Sequence, residues 1–73
     1  MTQIGDYTKI GDWVRDERKA QRIRQSDFET ITGYSAAHIS HIENGHDIPS
    51  ITMATNMLNA LGYRLVFGVE RIS

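Results

Sequence analysis

The sequence contains no cysteine among its 73 residues. This absence excludes a disulfide framework, a thiolate zinc site and a cysteine nucleophile, and it fits a reducing compartment. At this length we expect a single domain spanning residues 1–73, with a thin core over about 8–62. A second subunit is a common remedy for the marginal stability of so small a domain.

Long apolar runs and a leader-like N-terminus are also missing. No stretch approaches the roughly 20 apolar residues that a membrane-spanning helix needs. Residues Met1–Asp6 have neither a basic start nor an apolar segment, so no signal peptide is visible. We therefore expect a soluble, cytoplasmic protein with no membrane partner.

The chain has no excess of positive charge: its net charge is −1 and its pI is about 6.2. Taken alone, this balance argues against nucleic acid as a partner, because non-specific affinity for DNA comes mostly from cations that neutralise phosphates. However, Arg18, Lys19, Arg22 and Arg24 lie in an acid-free stretch. These cations could contact phosphates or complement the negative end of a helix, and the sequence leaves both interpretations open.

No arrangement typical of an enzyme is present. His38, His41 and Glu43 lie close together, but a zinc site needs four well-spaced ligands or an open site of three, and His46 follows a turn. The serines and acids show neither triad order nor a glycine-rich phosphate loop. We expect no catalysis, no metal site and no cofactor.

The apolar periodicity that is present predicts four helices. The predicted ranges are about 9–21 with Thr8 as N-cap, 25–32, 35–43 with Ser35 as N-cap, and 51–61. Gly33, the Asn44–Gly45 pair and Gly62 are typical helix stops. The residues predicted to face the core are Ile10, Trp13, Val14, Phe28, Ile31, Thr32, Ile39, Ile42, Met53, Ala54, Met57, Leu58 and Leu61.

After the fourth helix the pattern changes to an alternation of period two. Tyr63, Leu65, Phe67 and Val69 share one face, which predicts a short strand over about 63–69. The sequence therefore predicts an all-α fold of four helices followed by a C-terminal β-strand.

The third predicted helix has an unusual outer face. Ile39 and Ile42 cluster on one side, whereas the opposite side carries only small or hydrogen-bonding residues, namely Ala36, Ala37, Ser40 and His41. Small residues allow a backbone to approach a groove closely, and serine and histidine can hydrogen-bond to base edges. The alternative is an ordinary solvated helix face.

Several motifs resemble the phage repressor and Cro-type helix-turn-helix family. They are Gln25-Ser26-Asp27-Phe28, Gly33-Tyr34-Ser35, Ile39-Ser40-His41-Ile42-Glu43-Asn44-Gly45, Pro49-Ser50 and Leu58-Asn59-Ala60-Leu61-Gly62, which together cover about residues 8–62 in the family's order and spacing. The resemblance implies a lambda-repressor-like, four-helix DNA-binding domain with its helix-turn-helix at about 25–43.

The same resemblance implies roles for individual residues. The family places its second motif helix in the major groove, so Ala36, Ala37, Ser40 and His41 would face the bases. Gln25 would meet a phosphate or a base edge, and the main-chain N–H groups of Asn44 and Gly45 would meet a phosphate. Arg24 and Ser26 complete the expected DNA-binding set. Arg18 would form a buried ion pair with Glu43, tying the first helix to the end of the recognition helix.

Three residues depart from the family pattern. Arg24 stands where a Ser or Thr N-cap is usual, which predicts a poorer cap but an added cation. Glu29 replaces a small Ala and Thr32 replaces an apolar residue. These two departures predict either a looser crossing of the motif helices or a second helix shifted by one residue.

The resemblance implies a transcriptional repressor that binds a palindromic operator as a homodimer, and we expect the strand face of Tyr63, Leu65, Phe67 and Val69 to form the dimer contact. The strand could instead fold back on its own helices. The segment Leu61-Gly62-Tyr63-Arg64-Leu65 is also similar to antitoxins, which bind DNA and sequester a protein toxin. A protein-interaction module on the same fold is the remaining alternative.

Overall fold

The computed structural model describes residues 3–72 of the chain. Three residues of the predicted domain lie outside the described residues. They are Met1 and Thr2, which belong to the N-terminus predicted to carry no signal peptide, and Ser73. A short 3-10 turn, Tyr7–Lys9, leads into four α-helices: α1 Ile10–Ala20, α2 Gln25–Thr32, α3 Ala36–Glu43 and α4 Ile51–Ala60. Each helix begins and ends within one residue of its predicted bounds, so the all-helical prediction is confirmed for the described residues.

All four helices contribute to one apolar core. Its buried residues are Ile10 and Val14 from α1, Phe28 from α2, Ile39 and Ile42 from α3, and Met53, Ala54, Met57, Leu58 and Leu61 from α4 and its end. These ten residues all belong to the predicted core. Trp13 is only half-buried and packs at the edge of the cluster.

The main chains of α1 and α3 are in direct contact at Gly11. A Cβ built on Gly11 would overlap the main-chain carbonyl of Ile42, so only glycine fits here. The buried Gly11 therefore sets how closely α3 can lie against α1.

Two predicted local features are wrong. Thr8 does not cap α1: Asp6 caps the 3-10 turn by accepting the Thr8 N–H, and Lys9, which makes no side-chain cap, precedes α1. Ile31 is 56% exposed rather than buried, because α2 turns the Phe28 and Thr32 side toward the core. Thr32 is half-buried and satisfied locally, since its hydroxyl donates to the Phe28 carbonyl and accepts the Tyr34 N–H.

The second motif helix has its predicted bounds. α2 spans the predicted 25–32, so the helix is not shifted, and Glu29 is exposed. Gly33 adopts a left-handed conformation with φ 80° at the end of α2, which only glycine adopts readily.

The predicted strand is absent from the described part of the single chain, where residues 63–72 form neither helix nor strand. A strand requires a hydrogen-bonded neighbour, and this segment has none in one chain. The four residues of its predicted apolar face are also covered to different extents. Tyr63 packs edge-to-face on Trp13 with ring centroids 4.9 Å apart, and Leu65 is half-buried against the core, whereas Phe67 and Val69 are exposed.

The helices among residues 3–72 are short. The longest has 11 residues, and none is long and apolar enough to cross a membrane.

Candidate nucleic-acid interface

The two faces of α3 have different chemistry. Ile39, Ile42 and Glu43 are buried against the rest of the protein. On the other side Ala37 and His41 are exposed, and Ala36 and Ser40 are half-buried. Ser35 begins the helix by accepting the His38 N–H at 3.2 Å. The four residues predicted to read bases therefore lie on the side of the helix that the core leaves uncovered.

Arg18 and Glu43 form a buried, two-pronged ion pair. Arg18 Nε donates to Glu43 Oε2 at 2.8 Å and an Arg18 terminal nitrogen donates to Oε1 at 2.9 Å, with side-chain exposures of 7% and 2%. The other terminal nitrogen of Arg18 donates to the Ile23 carbonyl at 2.7 Å. This geometry joins α1, the turn before α2 and the end of α3.

Two further side chains extend this network. Gln25, the first residue of α2, donates its amide to Glu43 Oε1 at 3.1 Å. Arg15 donates to the main-chain carbonyl of Glu43 at 3.1 Å, where the carbonyls at the end of α3 concentrate negative charge. Arg15 is not among the predicted site residues, although its spacing of three residues from Arg18 on α1 is a signal visible in the sequence. Gln25 is thus held at the junction of the two motif helices.

Arg24 and Asp27 provide the start of α2. Asp27 accepts the Arg24 main-chain N–H at 3.3 Å and Arg24 Nε at 3.0 Å, so an acid inside the helix supplies the cap that Arg24 cannot. The hydrogen bond from Arg24 lowers the pKa of the Asp27 carboxyl, and the same bond raises the pKa of the Arg24 guanidinium. Ser26, between them, is exposed.

The end of α3 departs from one expectation. The Asn44 N–H donates to the Ser40 carbonyl at 2.9 Å and the Gly45 N–H donates to the Ile42 carbonyl at 3.1 Å. Neither N–H is therefore free to meet a phosphate, because both complete the last turn of the helix. The Asn44 side-chain amide instead donates to the Ser40 hydroxyl at 3.1 Å, which holds these two polar side chains together.

The three histidines do not converge with Glu43. His38 lies 3.7 Å from an Asp47 carboxylate oxygen, and the rings of His41 and His46 are 6.0 Å apart, centroid to centroid. Glu43 is turned inward to Arg18. Within residues 3–72, no group of three or more His, Cys, Asp or Glu side chains is placed to hold a metal ion.

A control-region protein of a phage is similar to part of the chain. The "ImmF control region 10 kDa protein" of Bacillus phage phi105 is 36% identical over 45 residues, which are 62% of this chain and 50% of that protein. The match thus spans half of the relative's length. No solved structure matches the chain. The helix-turn-helix family model matches residues 14–67, which include α2, α3 and the buried ion pair of Glu43. The chain belongs to the helix-turn-helix family.

Proposed function

We propose that this chain is a sequence-specific DNA-binding transcriptional regulator that lays α3 in the major groove. The observation that carries the proposal is the uncovered face of α3, where Ala36, Ala37, Ser40 and His41 offer small and hydrogen-bonding groups. The two alanines would allow close approach and contact thymine methyl groups, and Ser40 and His41 would hydrogen-bond to base edges. Shape readout would add to this limited set of direct contacts.

Charge at the interface supports the same proposal. The one acid of α3, Glu43, is 1% exposed and paired with Arg18, so it presents no free negative charge to a phosphate backbone. Because Arg18 is buried in this pair, it cannot contact DNA, whereas Lys19, Arg22 and Arg24 are exposed. These three cations would supply the phosphate contacts beside the motif helices, despite the net charge of −1.

Within this function we propose a repressor that acts as a homodimer on a palindromic operator. A two-fold dimer presents two recognition helices to successive major grooves, about 34 Å apart. The similarity to a phage control-region protein favours a regulatory role. In this proposal Tyr63, Leu65, Phe67 and Val69 contribute to the dimer contact.

A second candidate is an antitoxin or another protein-interaction module. The exposed apolar residues of the final described segment favour it, because Val66, Phe67, Val69 and Ile72 are at least 58% exposed in one chain. Such a protein would bind a foreign partner through this segment, with or without DNA.

Selection of bound sites from random DNA at two salt concentrations tests the proposed function. We expect enrichment of a two-fold symmetric site whose affinity falls as salt rises. Recovery of no preferred site, with binding equal for all DNA, would contradict it.

A matched pair of variants locates the interface. Ala37→Glu and Thr52→Glu each place an acid at an exposed second position of a helix, α3 and α4 respectively, where an acid suits the helix N-terminus. Ala37→Glu should abolish operator binding, because it sets a carboxylate against the bases and phosphates. Thr52→Glu should bind as the unchanged protein does. Equal binding by the two variants would remove α3 from the interface.

A further inference from the structure

Residues 63–72, here called the tail, are anchored at one end and exposed at the other. The Tyr63 hydroxyl donates to Glu17 at 2.9 Å and its ring packs on Trp13, while Leu65 is half-buried. Beyond Leu65 the apolar side chains are exposed to solvent: Phe67 is 65% exposed and Val69 is fully exposed. An open groove runs beside the tail, lined by Ile4, Trp13, Tyr63 and Leu65 among others.

We propose that a second copy of this chain covers the tail by antiparallel pairing about a two-fold axis at Phe67. This inference rests on the homodimer of the proposed function and specifies the register of its contact. Phe67 would lie opposite Phe67 of the second copy, and Leu65 opposite the second copy's Val69. The paired strands would satisfy the main-chain groups that one chain leaves exposed to solvent.

The parity of the apolar pattern restricts the register. Residues directly opposite in an antiparallel pair point to the same face of the sheet. Tyr63, Leu65, Phe67 and Val69 all have odd numbers, so they form one continuous apolar face only if odd residues oppose odd residues. The two-fold axis must then pass through a residue and not between two residues.

Charge selects one register from those that remain. The tail has three charged residues, Arg64, Glu70 and Arg71. With the axis at Phe67, Arg64 of each copy lies directly opposite Glu70 of the other, which gives two symmetric ion pairs. An axis at either neighbouring residue places no acid opposite a base. With the axis at Val66, Arg64 lies opposite Gly68, and with the axis at Gly68, Arg64 lies opposite Ile72.

The two charges do not satisfy each other within one chain. No ion pair joins Arg64 and Glu70 among the described residues. Six residues of extended chain separate them by roughly 20 Å, so they would meet readily only across two copies. The same register brings the second copy's Val69 beside Leu65, at the edge of the open groove.

Charge reversal tests the register by sedimentation of the full chain without DNA. Arg64→Glu and Glu70→Arg alone should each raise the dimer dissociation constant by about tenfold at low salt, because each converts two attractive pairs into repulsive ones. An equimolar mixture of the two variants should recover the original dissociation constant, since a mixed dimer again opposes a base to an acid at both pairs. Arg71→Glu is the control: it reverses a tail charge that faces Tyr63 in this register, so it should change the constant much less.

A cysteine scan measures the position of the axis independently. The chain has no cysteine, so a single substitution reports only itself. With oxidised glutathione as the oxidant, Phe67→Cys should form a disulfide-linked dimer, because residues opposite themselves have Cα atoms about 4.5–5.5 Å apart, within disulfide range. Val69→Cys should not, because its symmetry mate is displaced by four residues along the strand.

Several outcomes would overturn this inference. They are a chain that stays monomeric when concentrated, a mixture that dimerises no better than the single variants, covalent dimers of Val69→Cys as abundant as those of Phe67→Cys, and a dimer that survives deletion of residues 64–73. Site selection on DNA is a separate readout. If the protein fails these tests but still selects a preferred DNA site, the register is refuted and the proposed DNA binding by α3 stands. If it passes these tests but selects no site, DNA binding is refuted and the register stands.

Discussion

Gly11 in α1 lies directly against the main-chain carbonyl of Ile42 in α3, with no space for a Cβ between them. On intrinsic helix propensity, Gly11→Ala should stabilise α1 by about 1 kcal/mol. The structure reverses that sign, because the added methyl meets rigid backbone. We expect Gly11→Ala to lower the free energy of unfolding by about 1–3 kcal/mol, measured by urea denaturation.

Gly68→Ala is the matched control for this substitution. Nothing lies within 4 Å of a Cβ at Gly68, and its φ is not positive. The two variants should therefore differ clearly at the same protein concentration. A stability gain for Gly11→Ala would mean that α1 and α3 lie farther apart than described.

The buried Arg18–Glu43 pair should behave differently from an exposed pair. Arg18→Ala and Glu43→Ala should each lower the free energy of unfolding by about 3–5 kcal/mol, because each leaves a buried charge without its partner. The double variant should lose less than the sum of the two single losses. Denaturant unfolding of the four proteins in the cycle measures the coupling, and strict additivity would show that the residues do not interact.

Arg24 and Asp27 offer a comparison within the same protein. They also form an arginine–carboxylate pair, but the Arg24 side chain is 80% exposed. The same double-variant cycle on this pair should give a much smaller coupling than the cycle on Arg18 and Glu43, because solvent screens the exposed pair. A coupling as large as that of Arg18 and Glu43 would show that burial is not what strengthens the Arg18–Glu43 pair.

Substitutions at the DNA interface should separate base contacts from phosphate contacts. His41→Ala should weaken binding to the selected site by about 1–3 kcal/mol and leave binding to random DNA nearly unchanged. Arg24→Ala should weaken both and reduce the salt dependence of binding. Gel-shift titrations on both DNAs make the comparison, and equal losses for His41→Ala on the two DNAs would exclude His41 from base reading.

Asp27→Asn sharpens the Arg24 prediction. It removes the carboxylate that holds the Arg24 guanidinium at 3.0 Å, along with a negative charge near the proposed phosphate contacts. Binding to random DNA should become tighter and more salt-dependent. Unchanged binding would indicate that Arg24 does not contact phosphates.

Tyr63 should report the attachment of the tail through its titration. The hydrogen bond to Glu17 raises the pKa of the Tyr63 hydroxyl above its usual value. Because the folded pKa is the higher one, this bond stabilises the fold fully below about pH 10 and is lost as pH rises through the folded pKa. Ultraviolet absorbance should show one tyrosine titrating at lower pH in Glu17→Ala, and Tyr63→Phe identifies it by removing that transition. An unchanged titration in Glu17→Ala would mean that the bond does not form in solution.

Local signals predicted the helices well. Gly33 and the cap Ser35 act over three or four residues, so their effects are visible in the sequence. Ile31 was placed wrongly because α2 has only eight residues. A helix of two turns carries too few apolar positions to fix the direction of its core face.

The sequence by itself determined the four helices, the uncovered face of α3 and a set of thirteen core residues that contains all ten buried ones, because these follow from the period of the helix and from burial of apolar side chains. Only the tertiary structure decided which distant groups meet: Gly11 with the Ile42 carbonyl, and Arg15 and Gln25 with Glu43. It also decided that the tail forms no strand in one chain. A period specifies which face of a helix turns inward but not which atoms lie opposite it, and a strand exists only where a second strand accepts its hydrogen bonds.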